Sequence, residues 1–159
     1  MRRCIYPGSF DPITLGHMDI VERAKRLFDE VILVVSTNTA KTNAYSVDER
    51  TSLLESLYTN DTKVRIVSWD GLTVECAKHY EAMTIIRGLR IVSDFEYEFQ
   101  MNLANKVLDP AVETLFLMTK TENAYISSSM VREVHRLGGD VSAFVDARVI
   151  TFMDQKKTV

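Results

Sequence analysis

The chain has 159 residues, 46% hydrophobic and 26% charged, enough for one domain with a full apolar core. A net charge of -3 excludes a broad nucleic-acid surface, which needs a basic excess, and no apolar run approaches the length of a membrane span. Two cysteines far apart in sequence and three histidines leave no disulfide framework and no zinc spacing, which suits a reducing cytoplasm.

Met1-Arg2-Arg3-Cys4-Ile5-Tyr6 enters a strand directly, with no apolar leader, so a signal peptide is not expected. The first strand is predicted over residues 3–6. A helix over 16–28 follows, with Ile20, Val21, Ala24, Leu27 and Phe28 on one face. Val31-Ile32-Leu33-Val34-Val35 is a continuous apolar run, as in a central parallel strand buried on both faces. Ser46-Val47-Asp48-Glu49 is a capping-box pattern that opens a second helix carrying Leu53, Leu54 and Leu57. Then come a strand over 64–67, a helix over 72–80, a strand over 84–86 and a helix over 93–107 that ends before Pro110. A fifth strand covers 115–118, and a helix runs from Ser127-Ser128-Ser129 to Gly138-Gly139. Residues 141–153 are expected to be helical. There is no repeat, low-complexity tract or linker. Five β-α units predict an α/β, Rossmann-like doubly wound five-stranded parallel sheet of order 3-2-1-4-5 in a single domain, 1–159. Strands one and four then meet at the topological switch point, where ligands bind outside the carboxyl ends of the strands.

The loop Gly8-Ser9-Phe10-Asp11-Pro12-Ile13-Thr14-Leu15-Gly16-His17 sits at that point. Unpaired N–H groups at the helix start and the helix dipole favour an anion there. Gly8 and Gly16 allow close backbone approach, and His17 can donate to a phosphoryl oxygen and be charged near neutral pH. An ordinary βα turn has the same composition, so the neighbouring loops decide. Thr39-Ala40-Lys41-Thr42, Arg87-Gly88-Leu89-Arg90 and the segment from Tyr125 to Arg132 follow strands two, four and five and line one rim. Arg87 and Arg90 could be surface pairs with Asp94 or Glu96. However, Arg87 directly follows an apolar strand, Gly88 lets the chain turn towards a ligand, and arginine suits bidentate phosphate contacts. One serine suffices to cap a helix, so three point to an anion site. His79 and His135 lie in helical patterns without partners and are expected to be structural or surface residues. Phe95, Phe99 and Met101 are expected to be packing residues.

Thr14-Leu15-Gly16-His17 is similar to the T/H-x-G-H motif of the nucleotidylyltransferase superfamily, and Ser127-Ser128-Ser129-Met130-Val131-Arg132 resembles its second signature. Tyr6-Pro7-Gly8-Ser9-Phe10-Asp11-Pro12 resembles the bacterial phosphopantetheine adenylyltransferase family, as does Ile86-Arg87-Gly88-Leu89-Arg90 with Asp94-Phe95-Glu96-Tyr97-Glu98. The resemblance spans essentially the whole chain. Ser9 stands where many relatives have Thr, and either keeps the hydroxyl.

The resemblance implies transfer of the adenylyl group of ATP to 4′-phosphopantetheine, giving dephospho-coenzyme A and pyrophosphate. It implies that His17 stabilises the transition state. It places ATP on Ser9, Phe10, His17, Gly88, Leu89, Arg90 and Glu98, and on Asn123, Ala124, Tyr125, Ile126, Ser127, Ser128 and Ser129. It places phosphopantetheine on Ser9, Lys41, Thr73 and Arg87. It further implies Mg²⁺ on the ATP phosphates with few protein ligands, coenzyme A as feedback inhibitor, and a homohexamer with no nucleic-acid or membrane partner. Another nucleotidylyltransferase of the same fold, acting on nicotinamide mononucleotide or glycerol 3-phosphate, is the alternative. The acceptor phosphate is already an anion, so the chemistry asks for positioning and preorganised positive charge rather than a base.

Overall fold

A computed structural model describes residues 1–37 and 43–157. The elements run β1 (Arg3–Gly8), α1 (Leu15–Leu27), β2 (Glu30–Ser36), α2 (Val47–Tyr58), β3 (Val64–Trp69), α3 (Thr73–His79), β4 (Thr84–Leu89), α4 (Val92–Leu108), β5 (Glu113–Met118), a 3₁₀ turn (Thr121–Asn123), α5 (Ser128–Arg136) and α6 (Ala147–Lys157). The five strands are all parallel in the expected order, β3-β2-β1-β4-β5.

Alternation along the strands sends side chains to two cores, one on each face of the sheet. Tyr6, Leu33 and Ile86 pack with Ile20 of α1, Leu54 of α2, Val131 of α5 and Val149 and Met153 of α6. Ile5, Ile32, Val34 and Ile85 pack on the other face with Val74 and Ala77 of α3. The capping box of α2 forms as read: Glu49 N–H donates to Ser46 Oγ at 3.2 Å, and Ser46 N–H donates to the Glu49 carboxylate at 2.8 Å. No helix among the described residues is long and apolar enough to cross a membrane.

Several differences from the sequence reading have physical causes. β4 continues to Leu89, because Arg87, Gly88 and Leu89 pair in register with Phe116, Leu117 and Met118 of β5. Gly88 is therefore not a turn residue. A Cβ there would lie 3.1 Å from Ile20 Cγ1 and 3.2 Å from the Tyr6 hydroxyl, so its lack of a side chain serves close packing. Residues 141–153 are helical only from Ala147; Val141 and Val145 are buried at helical spacing, but in the turn before α6. His135 is not without a partner: its Nε2 lies 2.8 Å from Asp154 Oδ1 and ties α5 to α6. His79 packs its ring on Tyr80 and Trp69, with centroids at 4.7 and 5.3 Å. Phe95 and Phe99 stack on each other at 5.5 Å but stay exposed, so they do not fill this chain's own core.

Candidate active site

The carboxyl ends of β1 and β4 open into a cleft of about 1030 Å³, as the switch-point rule requires. Its walls come from the β1–α1 loop, β3, β4, α4 and the start of α5.

His17 is set by the start of α1. Thr14 is the N-cap, and its backbone N–H donates to His17 Nδ1 at 3.0 Å. An N–H can only donate, so Nδ1 is the acceptor and the ring proton sits on Nε2. Thr14 Oγ1 lies 3.0 Å from the same nitrogen and accepts from the His17 N–H at 3.4 Å. The Phe10 ring supports the imidazole edge-on at 5.3 Å. Burial lowers the His17 pKa to about 4, and the charges of Arg90 and Arg87 act in the same direction. Hence His17 is not the near-neutral cation anticipated from its residue type. It is a neutral imidazole that offers one N–H to the cleft.

Arg87 and Arg90 supply the positive charge. Arg87 projects from β4 and donates through Nε and Nη2 to both oxygens of Glu98 on α4, the Nε bond being 2.6 Å, and through Nη1 to the Pro7 carbonyl at 2.7 Å. Three of its five N–H groups are used, which leaves two for a ligand. Arg90 forks onto Asp94 with two bonds of 3.1 Å and reaches the Ile126 carbonyl at 3.2 Å. Of the surface pairings weighed from sequence, Arg90–Asp94 exists. The partner of Arg87 is Glu98, whose carboxylate holds the guanidinium fork in place.

The triple serine does three things. Ser127 Oγ accepts from Met130 N–H at 3.2 Å and caps α5. Ser128 Oγ donates to the Pro12 carbonyl at 2.8 Å and joins α5 to the β1–α1 loop. Ser129 is exposed on the cleft, with its hydroxyl 3.2 Å from that of Ser127.

The cleft thus brings together Ser9, His17, Thr73, Arg87, Gly88, Arg90, Glu98 and Ile126 to Ser129. Phe10 and Leu89 are buried beneath it, and a ligand meets their backbone at most. Asn123, Ala124 and Tyr125 do not line the cleft. Lys41 lies outside the described residues. Met101, anticipated as packing, lines the cleft from α4 with Tyr97, Asn102 and Asn105. Sequence reasoning missed Asp11, Arg50 and the role of Arg132. Asp11 is buried, accepts the N–H groups of Ala44 and Tyr45 at 2.9 and 3.0 Å, and pairs with Arg132 at 3.2 Å. Arg132 was visible within the serine signature. Arg50 was visible as the residue continuing the Leu53, Leu54 and Leu57 stripe one turn upstream.

A neutral imidazole N–H, two arginine forks and two helix starts around the switch point of a 3-2-1-4-5 sheet define a nucleotide-dependent phosphoryl-group chemistry site. Residues 5–134 match the family model described as cytidylyltransferase-like. The phosphopantetheine adenylyltransferase of Caldanaerobacter subterraneus subsp. tengcongensis is 52% identical over 145 residues, 91% of each chain. That of Heliobacterium modesticaldum is 49% identical over 156 residues, 98% of this chain and 93% of the relative. That of Methylacidiphilum infernorum is 48% identical over 158 residues, 98% of this chain and 91% of the relative. The chain belongs to the cytidylyltransferase-like family and, within it, to the phosphopantetheine adenylyltransferases.

Proposed function

We propose that this chain transfers the adenylyl group of ATP to the phosphate of 4′-phosphopantetheine, releasing pyrophosphate. The observation that carries this reading is His17, a neutral imidazole with its ring proton on Nε2, lining one cleft together with Arg87 and Arg90. An acceptor phosphate oxygen attacks the α-phosphorus, the bond from that phosphorus to the bridging oxygen breaks, and pyrophosphate leaves with the electron pair. No protein base is needed. Charge grows on the α-phosphoryl oxygens, where a fixed N–H and nearby guanidinium groups stabilise it most.

Arg87 holds the acceptor phosphate and Arg90 the nucleotide side, with Ser9 between the two substrates. Thr73 and the α4 side chains bound the space for the pantetheine arm. Mg²⁺ would accompany the ATP phosphates, with few ligands asked of the protein. Coenzyme A carries the same arm and is the expected feedback inhibitor of the same cleft. Self-association is supported by the apolar surface of α4, where Val92, Leu103, Val107 and Leu108 are exposed, and the homohexamer is the assembly that the family resemblance implies. A cytoplasmic setting is supported by two free buried thiols, Cys4 and Cys76.

The test is a panel of phosphate acceptors with ATP or CTP, read by pyrophosphate release. ATP with phosphopantetheine is expected to give the dominant signal. Turnover with nicotinamide mononucleotide or glycerol 3-phosphate instead would assign the chain to a sister activity.

A further inference from the structure

Arg50 of α2 is 1% exposed. It stands on the same face as Leu53, Leu54 and Leu57, where an apolar side chain would pack without desolvating a charge. Its guanidinium instead gathers carbonyl oxygens from three segments. Nη1 donates to the Ser9 carbonyl at 2.6 Å and to the Ser36 carbonyl at 3.3 Å, and Nε donates to those of Tyr45 and Ser46 at 3.0 and 3.2 Å. Asp11 completes a reciprocal clamp by accepting the N–H groups of Ala44 and Tyr45.

The Ser9 bond has a stereochemical consequence. The Ser9–Phe10 peptide is trans, so a carbonyl held towards Arg50 turns the Phe10 N–H to the opposite side. That N–H has no partner among the described residues, and Ser9 lines the cleft. Phe10 has φ +46°, an uncommon conformation for a bulky residue, and its ring is locked between Tyr6 and His17 at 5.4 and 5.3 Å. We infer that Arg50 is a positioning residue for the adenylyl transfer: by clamping the Ser9 carbonyl it fixes the Phe10 N–H as a phosphoryl-oxygen donor on the His17 side of the cleft. This rests on the proposed transfer reaction, because the donor matters only if a phosphoryl group is presented there.

The experiment follows the Phe10 amide by ¹H–¹⁵N NMR in the full chain as pyrophosphate or ATP is added. A downfield shift of that amide is expected in the wild type, and a smaller one in Arg50→Lys, which keeps the charge but not the fork. In the same variant kcat is expected to fall about a hundredfold, the scale of a small misplacement of a catalytic donor, with the KM values for ATP and acceptor little changed. A Phe10 amide that does not respond in the wild type overturns the proposal, and so does a folded Arg50→Lys enzyme with full kcat. If Arg50→Lys does not fold, the wild-type amide decides. If the wild type releases no pyrophosphate from ATP and phosphopantetheine, the function reading fails, and the amide response still reports on the clamp.

Discussion

The Thr14 backbone N–H, 3.0 Å from His17 Nδ1, fixes the tautomer of the one imidazole that faces the cleft. His17→Ala removes the Nε2 donor and is expected to lower kcat about 10²- to 10³-fold with little change in the KM for ATP, because that bond strengthens as charge develops. Thr14→Ala keeps the backbone donor. It should cost about 1 kcal/mol of stability through the lost N-cap while keeping most of kcat. Steady-state pyrophosphate release and urea unfolding of the two variants separate these effects. Equal loss of kcat in both would mean that the hydroxyl, rather than the N–H, orients the ring.

The depressed pKa of His17 has a signed consequence. The folded group takes up a proton only near pH 4, whereas the unfolded group does so near the ordinary 6.5. Between those values the unfolded state binds more protons, so the stability contribution is fully present above about pH 6.5 and falls as pH drops towards 4. Urea unfolding at pH 7 and pH 5 should show this loss, and His17→Gln should lack its share of it. A titration of the His17 imidazole itself near 6.5 in the folded enzyme, seen by assigned NMR signals, would contradict the assignment of a neutral donor.

Arg87 and Glu98 act as one unit across β4 and α4. Arg87→Ala should raise the KM for phosphopantetheine at least tenfold, on the scale of a lost charge-assisted hydrogen bond, with a smaller effect on ATP. Glu98→Gln keeps the shape but weakens the hold on the fork, and should raise the same KM by less. If Glu98→Gln changed the KM for ATP alone, Glu98 would belong to the nucleotide, as family resemblance implies.

The strand order was readable because the apolar run at Val31 to Val35 and the regular β-α alternation admit few topologies. The end of β4 was not. Arg87 and Gly88 look like loop residues, and only pairing with Phe116 and Leu117 makes them a strand. Among site residues, His17, Arg87 and the serines announced themselves by type and position. Their states did not: the neutrality of His17 comes from burial and from two arginines, Arg87 on β4 and Arg90 just beyond its end. The Arg87–Glu98 pair joins residues eleven apart on a strand and the following helix, a relation no helical or strand period encodes. Arg50 shows the converse error, since a charge on an apolar stripe is easily passed over as surface although its position already marked it as buried.

The exposed apolar surface of α4 leads to a prediction about assembly. Leu103 and Val107 lie one turn apart, 50% and 84% exposed. Sedimentation of the wild type is expected at the mass of six chains. Leu103→Glu with Val107→Glu should give smaller species, because a charge cannot be buried against an apolar partner without a counter-charge. An unchanged sedimentation coefficient in that double variant would place the contact surface elsewhere.

Gly88 connects the sheet to His17 through packing alone. A methyl group at this position would lie 3.1 Å from Ile20 Cγ1 and 3.2 Å from the Tyr6 hydroxyl, both on buried side chains. Ile20 is three residues beyond His17 on α1, so relieving that overlap shifts the helix that carries the His17 imidazole. Gly88→Ala is expected to cost about 1–3 kcal/mol, the scale of overpacking in a filled core, and to lower kcat as well. Ile20→Ala alone should also destabilise, by leaving a cavity. In the double variant the new methyl occupies part of that cavity, so the two losses should sum to more than the measured total. A double-mutant cycle in urea reads the difference. Strict additivity would show that the backbone around Gly88 yields before Ile20 does, and kcat should then be unaffected by Gly88→Ala.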